Sequence, residues 1–222
     1  AQVRRAKELS HGSGLVAINA MVATTQYAES VRTALCAGVD VVVCGAGLPR
    51  DLPAIAALAH EHGCKFIVDN TFLSPFIMRP LDHGADIVLH SGTKYYVGHG
   101  DALCGIVAGK KEDMDRIRYY NDNLGTHISP FDSWLALRGV RTLPLRLTKQ
   151  SENAMALAKW LEARPEVEFV LYPGLESHKQ HELARKLFVG DHFGGMLCFH
   201  LKGGYEEMKK FADSVRIPPI AT

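Results

Sequence analysis

Hydrophobic and polar positions along the first 110 residues follow two alternating patterns. Short apolar runs, typical of strands buried in a sheet, occur at 15–18, 40–44, 65–68, 86–89 and 103–108. Segments with helical periodicity accompany them near 2–10, 26–37, 51–62 and 77–83. Strands that alternate with helices predict a parallel sheet joined by right-handed crossovers. The predicted fold class is therefore α/β, with a three-layer, mainly parallel, doubly wound sheet.

Helices dominate the next fifty residues, and the pattern changes after Pro165. Helices are predicted near 111–119, 129–138 and 144–163. Beyond them, 167–171 and 196–200 alternate like half-buried strands, with helices near 178–187 and 204–214. Two strands make a poor sheet by themselves. Residues 164–222 are therefore predicted to form a truncated carboxyl-terminal α+β lobe, and residues 51–163 the core of a larger domain.

Composition narrows the range of partners and compartments. Apolar residues make up 47% of the chain, which is enough for a sizeable buried core. With 25 basic and 24 acidic residues, neither nucleic acid nor a membrane is expected as a partner. No apolar run reaches the length of a membrane span, and the first five residues lack the apolar stretch of a signal peptide. The five cysteines form no close pair, which favours free thiols in the cytoplasm.

The candidate chemistry lies where two predicted strands end. Asp69 follows one apolar run, and Lys94 follows the next one within Ser91-Gly92-Thr93-Lys94. If the two strands are parallel and adjacent, Asp69 and Lys94 open onto the sheet edge where α/β proteins bind ligands. These groups suit the chemistry of pyridoxal phosphate (PLP). A lysine amine can form a Schiff base with it, an acid can keep its ring nitrogen protonated, and hydroxyls can bind its phosphate. The hydroxyls of Ser91 and Thr93 are the phosphate candidates, or they bond backbone groups of their own turn.

Nine segments in the second part of the chain carry a resemblance to a known family. They are Val68–Phe72, Arg79–Leu81, Gly84–Val88, His90–Tyr95, Gly98–Asp101, Ser129–Pro130, Trp134–Leu135, Leu137–Gly139 and Thr142–Leu143. Through them, residues 52–222 resemble the Cys/Met-metabolism PLP-dependent enzymes: cystathionine γ-synthases, cystathionine γ-lyases and methionine γ-lyases. The resemblance implies fold type I and a lyase or transferase acting on sulfur amino acids. It also implies that Lys94 forms the Schiff base, Asp69 partners the pyridine nitrogen, and Ser91 and Thr93 contact the phosphate.

The first fifty residues carry a different resemblance. Gly14–Ala23 and Gly38–Pro49 resemble two consecutive βα units of nitronate monooxygenase, a flavin-dependent (β/α)₈ barrel. The interpretation is a chimera in which residues 1–50 replace part of the PLP enzyme's sheet, with a join between Gly47 and Ala54. Two barrel units cannot enclose a flavin, so FMN is not expected as a cofactor. The segment Gly45–Gly47 lacks the rest of a phosphate-binding motif and is predicted to be a tight strand-to-helix turn.

These resemblances leave more than one function open. Set against the family it resembles, the chain is expected to be without the amino-terminal phosphate turn, the stacking aromatic residue and the arginine that clamps the substrate carboxylate. One hypothesis is therefore a PLP enzyme for a small amino acid substrate whose site is incomplete and inactive. The alternatives are an engineered chimeric scaffold without catalytic function, and nitronate monooxygenase activity. Apolar faces left uncovered predict a homo-oligomer, and no metal site is predicted, since His60, His62 and His99 do not share one helical face.

Overall fold

The computed structural model of the chain describes residues 2–21, 26–45 and 52–215. Ala46 and Gly47 of the predicted tight turn, most of the predicted join before Ala54, and residues 216–222 lie outside this range. The described helices are α1 (Gln2–Leu9), α2 (Tyr27–Cys36), α3 (Leu52–Glu61), α4 (Ser74–Ile77), α5 (Lys111–Leu124), α6 (Pro130–Val140), α7 (Leu143–Glu162), α8 (His181–Leu187) and α9 (Tyr205–Ser214), with a 3₁₀ helix at Pro80–His83. The described strands are β1 (Ala17–Met21), β2 (Val41–Gly45), β3 (Lys65–Asp69), β4 (Ile87–Ser91), β5 (Gly105–Gly109), β6 (Val167–Leu171) and β7 (Cys198–Leu201).

The central sheet has the strand order β1-β2-β3-β4-β5. The first four strands are parallel, and β5 runs antiparallel to β4. Because the order does not reverse, right-handed crossovers put their helices on one face, and Tyr27 of α2 contacts Cys44 of β2 there. On the other face, Asp113 of α5 lies 3.0 Å from Lys65 Nζ of β3. The predicted α/β class with a mainly parallel sheet between helical layers is confirmed.

One face of this sheet carries most of the core. Val42, Phe66 and Val88 lie on three neighbouring strands and are 0%, 0% and 3% exposed. They belong to one apolar cluster that also includes side chains of α2, α3 and α7. Because successive strand residues point to opposite faces, Val43 and Ile67 lie on the second face, where they are only half-buried. The sheet is therefore asymmetric, with one densely packed side.

Helix α7 connects the sheet core to the carboxyl-terminal lobe. β6 and β7 form a separate antiparallel pair, and Leu147 of α7 and Val170 of β6 belong to the same cluster as the sheet residues. That cluster also crosses from the first fifty residues into the rest of the chain. The division into segments 1–50, 51–163 and 164–222 stays a prediction. None of the described helices is long and apolar enough to span a membrane.

The segment predicted as one helix near 77–83 consists of two separate turns. α4 ends at Ile77, and the 3₁₀ helix begins at Pro80. Proline lacks an amide hydrogen and clashes with the preceding turn, so Pro80 can begin a helical turn but disrupts one that contains it. α5 extends beyond its predicted end to Leu124, where Gly125 ends it in a left-handed conformation with φ 67°. Neither difference moves the strand ends that carry the candidate site.

Asp86 connects the start of β4 to β3 and α3. Its mostly buried carboxylate accepts a hydrogen bond from Phe66 N at 2.8 Å and lies 2.9 Å from His60 Nε2. Burial alone would raise the pKa of Asp86, but the bond from Phe66 and the interaction with His60 hold it below its usual value. A carboxyl group whose pKa is lower in the folded than in the unfolded state stabilises the fold at pH values above the unfolded-state pKa. This stabilisation is lost as the pH falls through the folded-state pKa.

We expect Asp86→Asn to lower the free energy of unfolding at about pH 7 by about 1–2 kcal/mol, because bonds to a charged acceptor are stronger than neutral ones. The difference from the unchanged protein should be smaller at about pH 3, because the stabilisation by the charged carboxylate begins to fall once the pH is below the unfolded-state pKa of about 4. Urea unfolding at both pH values measures this. Asp191→Asn, on an exposed side chain, is the matched control. A difference of the same size at both pH values would contradict the prediction.

Candidate active site

The carboxyl ends of β3 and β4 place the predicted site residues at one edge of the sheet. The two strands are adjacent and parallel, which meets the condition stated from the sequence, and Asp69 pairs with Leu89. Asp69 ends β3, and Ser91 ends β4 shortly before Lys94. Asp69, Ser91 and Lys94 all line one cavity of about 450 Å³. The structure therefore brings these three predicted residues together.

Thr71 holds the carboxylate of Asp69 in place. It donates to Asp69 Oδ1 from its backbone nitrogen at 3.0 Å and from its hydroxyl at 2.5 Å. The same hydroxyl oxygen accepts a hydrogen bond from Ser91 N on the neighbouring strand at 2.8 Å. Gly45 at the end of β2 leaves room for this arrangement, since a Cβ there would lie 3.1 Å from Asp69 Cβ. Thr71 thus links the ends of both strands to the acidic group.

Lys94 lies in a tight turn, residues 92–98, that is neither helix nor strand. Lys94 N donates to Ser91 O at 3.2 Å, and Gly98 N donates to Lys94 O at 2.9 Å. Gly92 allows the turn to lie against Cys104, because a Cβ there would lie 2.3 Å from Cys104 Sγ. The lysine side chain itself is exposed, so its amine is open to an incoming ligand.

Thr93, the fourth predicted site residue, does not line this cavity. Its hydroxyl accepts a hydrogen bond from Cys104 N at 3.2 Å and so braces the turn against the residues before β5. Short hydroxyl side chains commonly bond nearby backbone in this way. A contact between Thr93 and a phosphate stays a prediction.

Two further polar residues at the strand ends were not singled out from the sequence. Asn70 lines the cavity, is 2% exposed and donates from Nδ2 to Met78 O at 2.9 Å. Its Oδ1 is buried and has no hydrogen-bond partner among the described residues. His90 Nδ1 lies 3.0 Å from Asn70 O and must be the donor, because a carbonyl only accepts. Burial lowers the pKa of His90 and so favours its neutral form.

A second wall of the cavity comes from the carboxyl-terminal lobe. Its lining residues are Pro173, Phe188, Phe193, Gly194 and Met196. Gly194 is held from both sides: its nitrogen donates to Ser151 Oγ at 3.1 Å, and its oxygen lies 2.9 Å from the Tyr172 hydroxyl. These residues lie 79 to 102 positions after Lys94 and form no recognisable motif. Asn70, adjacent to Asp69, and His90, adjacent to Ser91, did offer a sequence signal that could have been followed.

The residues of this cavity fit PLP. The carboxylate of Asp69 can accept a hydrogen bond from a protonated ring nitrogen, Lys94 offers a primary amine, and Ser91 offers a hydroxyl for a phosphate oxygen. The volume falls within the range of about 300–1,000 Å³ that is usual for small-molecule sites. The unpaired Asn70 Oδ1 is a further acceptor that a ligand donor would satisfy.

Comparison with known proteins identifies the family. The sequence matches the Cys/Met metabolism PLP-dependent enzymes over residues 49–222. The chain belongs to this family. PLP, the cofactor predicted from the sequence, is the cofactor of these enzymes.

Individual relatives agree with this membership. The chain is 40% identical to L-methionine γ-lyase of Treponema denticola, an alignment covering 96% of this chain and 55% of the relative. It is 54% identical to cystathionine γ-synthase of Haemophilus influenzae over 68% of this chain and 37% of the relative. The crystal structure of cystathionine γ-synthase from Xanthomonas oryzae pv. oryzae, in complex with aminoacrylate and cysteine, matches with a TM-score of 0.84 and 35% identity. That match covers 100% of this chain and 57% of the other, so the chain spans about half the length of such relatives.

The comparisons give no evidence for a chimera or for a nitronate monooxygenase segment. The methionine γ-lyase alignment covers 96% of the chain, so similarity to this family extends into the first fifty residues. The Xanthomonas oryzae structure likewise covers all of the chain. In the fold, β1 and β2 continue the same parallel sheet as β3. The predicted barrel origin of residues 1–50 is therefore not supported. The sequence could suggest it because consecutive βα units have the same local pattern in a barrel and in an open sheet.

Proposed function

We propose that this chain carries the lysine side of a PLP site in an enzyme that acts on sulfur amino acids, of the cystathionine γ-synthase and γ-lyase type. The observation that supports it is the convergence of Asp69, Ser91 and Lys94 on one cavity at the carboxyl edge of a parallel sheet. This edge is where open α/β sheets bind ligands. Because the chain spans about half of its relatives' length, activity and substrate are proposals for the protein as a whole.

Each residue has a defined task in this proposal. When bound, PLP supplies an aldehyde that reacts with amines and a ring that withdraws electrons from a substrate's α-carbon. Asp69, fixed by Thr71, keeps a proton on the ring nitrogen through its carboxylate. Ser91 binds a phosphate oxygen through its hydroxyl. Lys94 binds the cofactor through Nζ and, when free, moves a proton at the same atom.

The proposal predicts a visible absorption band when the protein is titrated with PLP, and its loss in Lys94→Ala. The band requires an amine that reaches the cofactor, and Lys94 is the lysine that lines the cavity among the described residues. Borohydride reduction followed by peptide mass analysis should locate the cofactor on Lys94. Lys179→Ala, which removes an exposed lysine of the carboxyl-terminal lobe, is the matched control and should keep the band.

Absence of the band at saturating PLP would contradict the proposal for this chain. It would support the alternative of a scaffold without catalytic function, in which the site is incomplete. A band that persists in Lys94→Ala would show that the cofactor reacts with other lysines. Either result is distinct from loss of the fold, which circular dichroism of each variant monitors.

We also propose that the chain binds a small amino acid substrate and a second copy of itself, and that the protein is located in the cytoplasm. Support for self-association is the exposed apolar side chains of α6, where Phe131, Trp134 and Leu137 are 66%, 57% and 68% exposed. Support for the compartment is that all five cysteines are free thiols.

A further inference from the structure

The turn that carries Lys94 depends on contacts from outside itself. Residues 92–98 are tied internally by a few backbone bonds, such as Val97 N to Gly92 O at 2.9 Å. A short turn without a helical or strand ladder has little local stability of its own. Something must therefore hold it against the rest of the fold if Lys94 is to keep a defined position.

Gly92 and Thr93 bond to Cys104 at the start of this turn, and Arg146, in the first part of α7, holds the rest of it. Its Nη1 donates to Tyr95 O, next to Lys94, at 2.8 Å. Its Nη2 donates to Gly139 O in α6 at 2.8 Å, and its Nε donates to Thr142 Oγ1 at 3.1 Å. One planar guanidinium thus joins the lysine turn, α6 and the start of α7.

The packing around Gly98 shows how closely the turn approaches this side chain. Gly98 has φ +75°, and a Cβ there would lie 2.2 Å from Arg146 Nη1 and 2.5 Å from its Cζ. The guanidinium therefore lies directly on the glycine that ends the turn. Arg146 therefore supports the Tyr95–Gly98 segment at both ends, through a hydrogen bond at Tyr95 and through close contact at Gly98.

We propose that Arg146 is a positioning residue that holds the turn of Lys94 in the place where its amine meets PLP. The inference rests on the proposed function, and it deepens it by assigning the support of the reactive lysine to α7. Arg146 does not line the cavity, so it acts through the backbone of the turn. Its effect depends on the fork shape of guanidinium, because a lysine ammonium is a point donor that cannot bridge the same acceptors in one plane.

The experiment compares Arg146→Gln and Arg146→Lys with the unchanged protein and with Lys159→Gln, which removes an exposed cation from the far end of α7. Hydrogen exchange without cofactor should become about tenfold faster or more at the amides of 94–98 in both Arg146 variants, and not in Lys159→Gln. The apparent PLP dissociation constant, read from the Lys94-dependent band, should rise about tenfold in the same two variants. Arg146→Lys retains charge and stem, and so tests the idea if the glutamine variant fails to fold.

The two measurements, hydrogen exchange and PLP binding, separate this inference from the proposed function. If the unchanged protein gives no band, the proposed function fails, and local exchange alone decides whether Arg146 anchors the turn. Unchanged exchange at 94–98 in the Arg146 variants would overturn the inference. So would an increase spread equally over the amides of the central sheet, because that would show a general loss of stability. Full retention of PLP binding by Arg146→Lys would overturn the claim that the turn needs the forked guanidinium group of arginine.

Discussion

Replacing Tyr172 with alanine is expected to lower the free energy of unfolding by about 3–5 kcal/mol, the cost typical of removing a buried aromatic side chain. Tyr172 is 0% exposed, and its ring meets Phe193 edge-on at a centroid distance of 6.5 Å. Its hydroxyl lies 2.9 Å from Gly194 O and 3.2 Å from Ser151 O. Burial raises the pKa of Tyr172 to about 12, which keeps the hydroxyl protonated and able to donate. The substitution therefore leaves a cavity and removes a donor shared by two carbonyl groups.

Urea unfolding of two further variants separates these contributions. Tyr172→Phe keeps the ring and removes the hydroxyl, so it should lose about 1–3 kcal/mol. Tyr205→Ala, on a tyrosine that is 77% exposed, should change stability by no more than about 0.5 kcal/mol. A loss below about 1 kcal/mol in Tyr172→Ala would contradict the central packing role given to this side chain. Because Gly194 lines the cavity, weaker PLP binding should accompany the loss of stability.

Gly139→Ala is expected to cost about 1–3 kcal/mol, because it overpacks the contact between α6 and the lysine turn. A Cβ at this position would lie 2.3 Å from Val97 O and 2.4 Å from Tyr96 O. These are backbone atoms, which cannot rotate away as the end of a flexible side chain can. Alanine is a better helix former than glycine by up to about 1 kcal/mol. The steric cost exceeds this gain, so the net effect should be a loss.

Gly105→Ala is the matched control, since nothing lies within 4 Å of a Cβ at that position in β5. We expect that variant to be neutral or slightly more stable than the unchanged protein. Thermal or urea unfolding of both variants makes the comparison. Gly139→Ala with a stability equal to that of Gly105→Ala would show that α6 can shift away from the turn at little cost.

Much of the fold was predictable from local patterns. The runs before Asp69 and Ser91 are continuous and apolar, a pattern typical of parallel strands, and both became neighbouring strands of the parallel sheet. The segment around Pro80 was predicted less well, because α4 already ends at Ile77 and Pro80 begins a separate 3₁₀ turn. The barrel origin predicted for residues 1–50 found no support, since βα periodicity reports local structure and not whether the sheet closes into a barrel.

The sequence by itself determined the strand ends and the reactive groups at them: Asp69 after one apolar run, and Ser91 and Lys94 after the next. Consecutive strands of a parallel sheet are usually neighbours, so chain order alone was enough to pair these groups. Only the tertiary structure decided that Thr71 orients Asp69, that Thr93 faces Cys104, and that Arg146 supports the lysine turn. It also decided which apolar side chains of the carboxyl-terminal lobe line the cavity. Apart from the local bond between Thr71 and Asp69, these contacts join residues from different parts of the chain. They depend on how packed elements meet, which no periodicity along the sequence records.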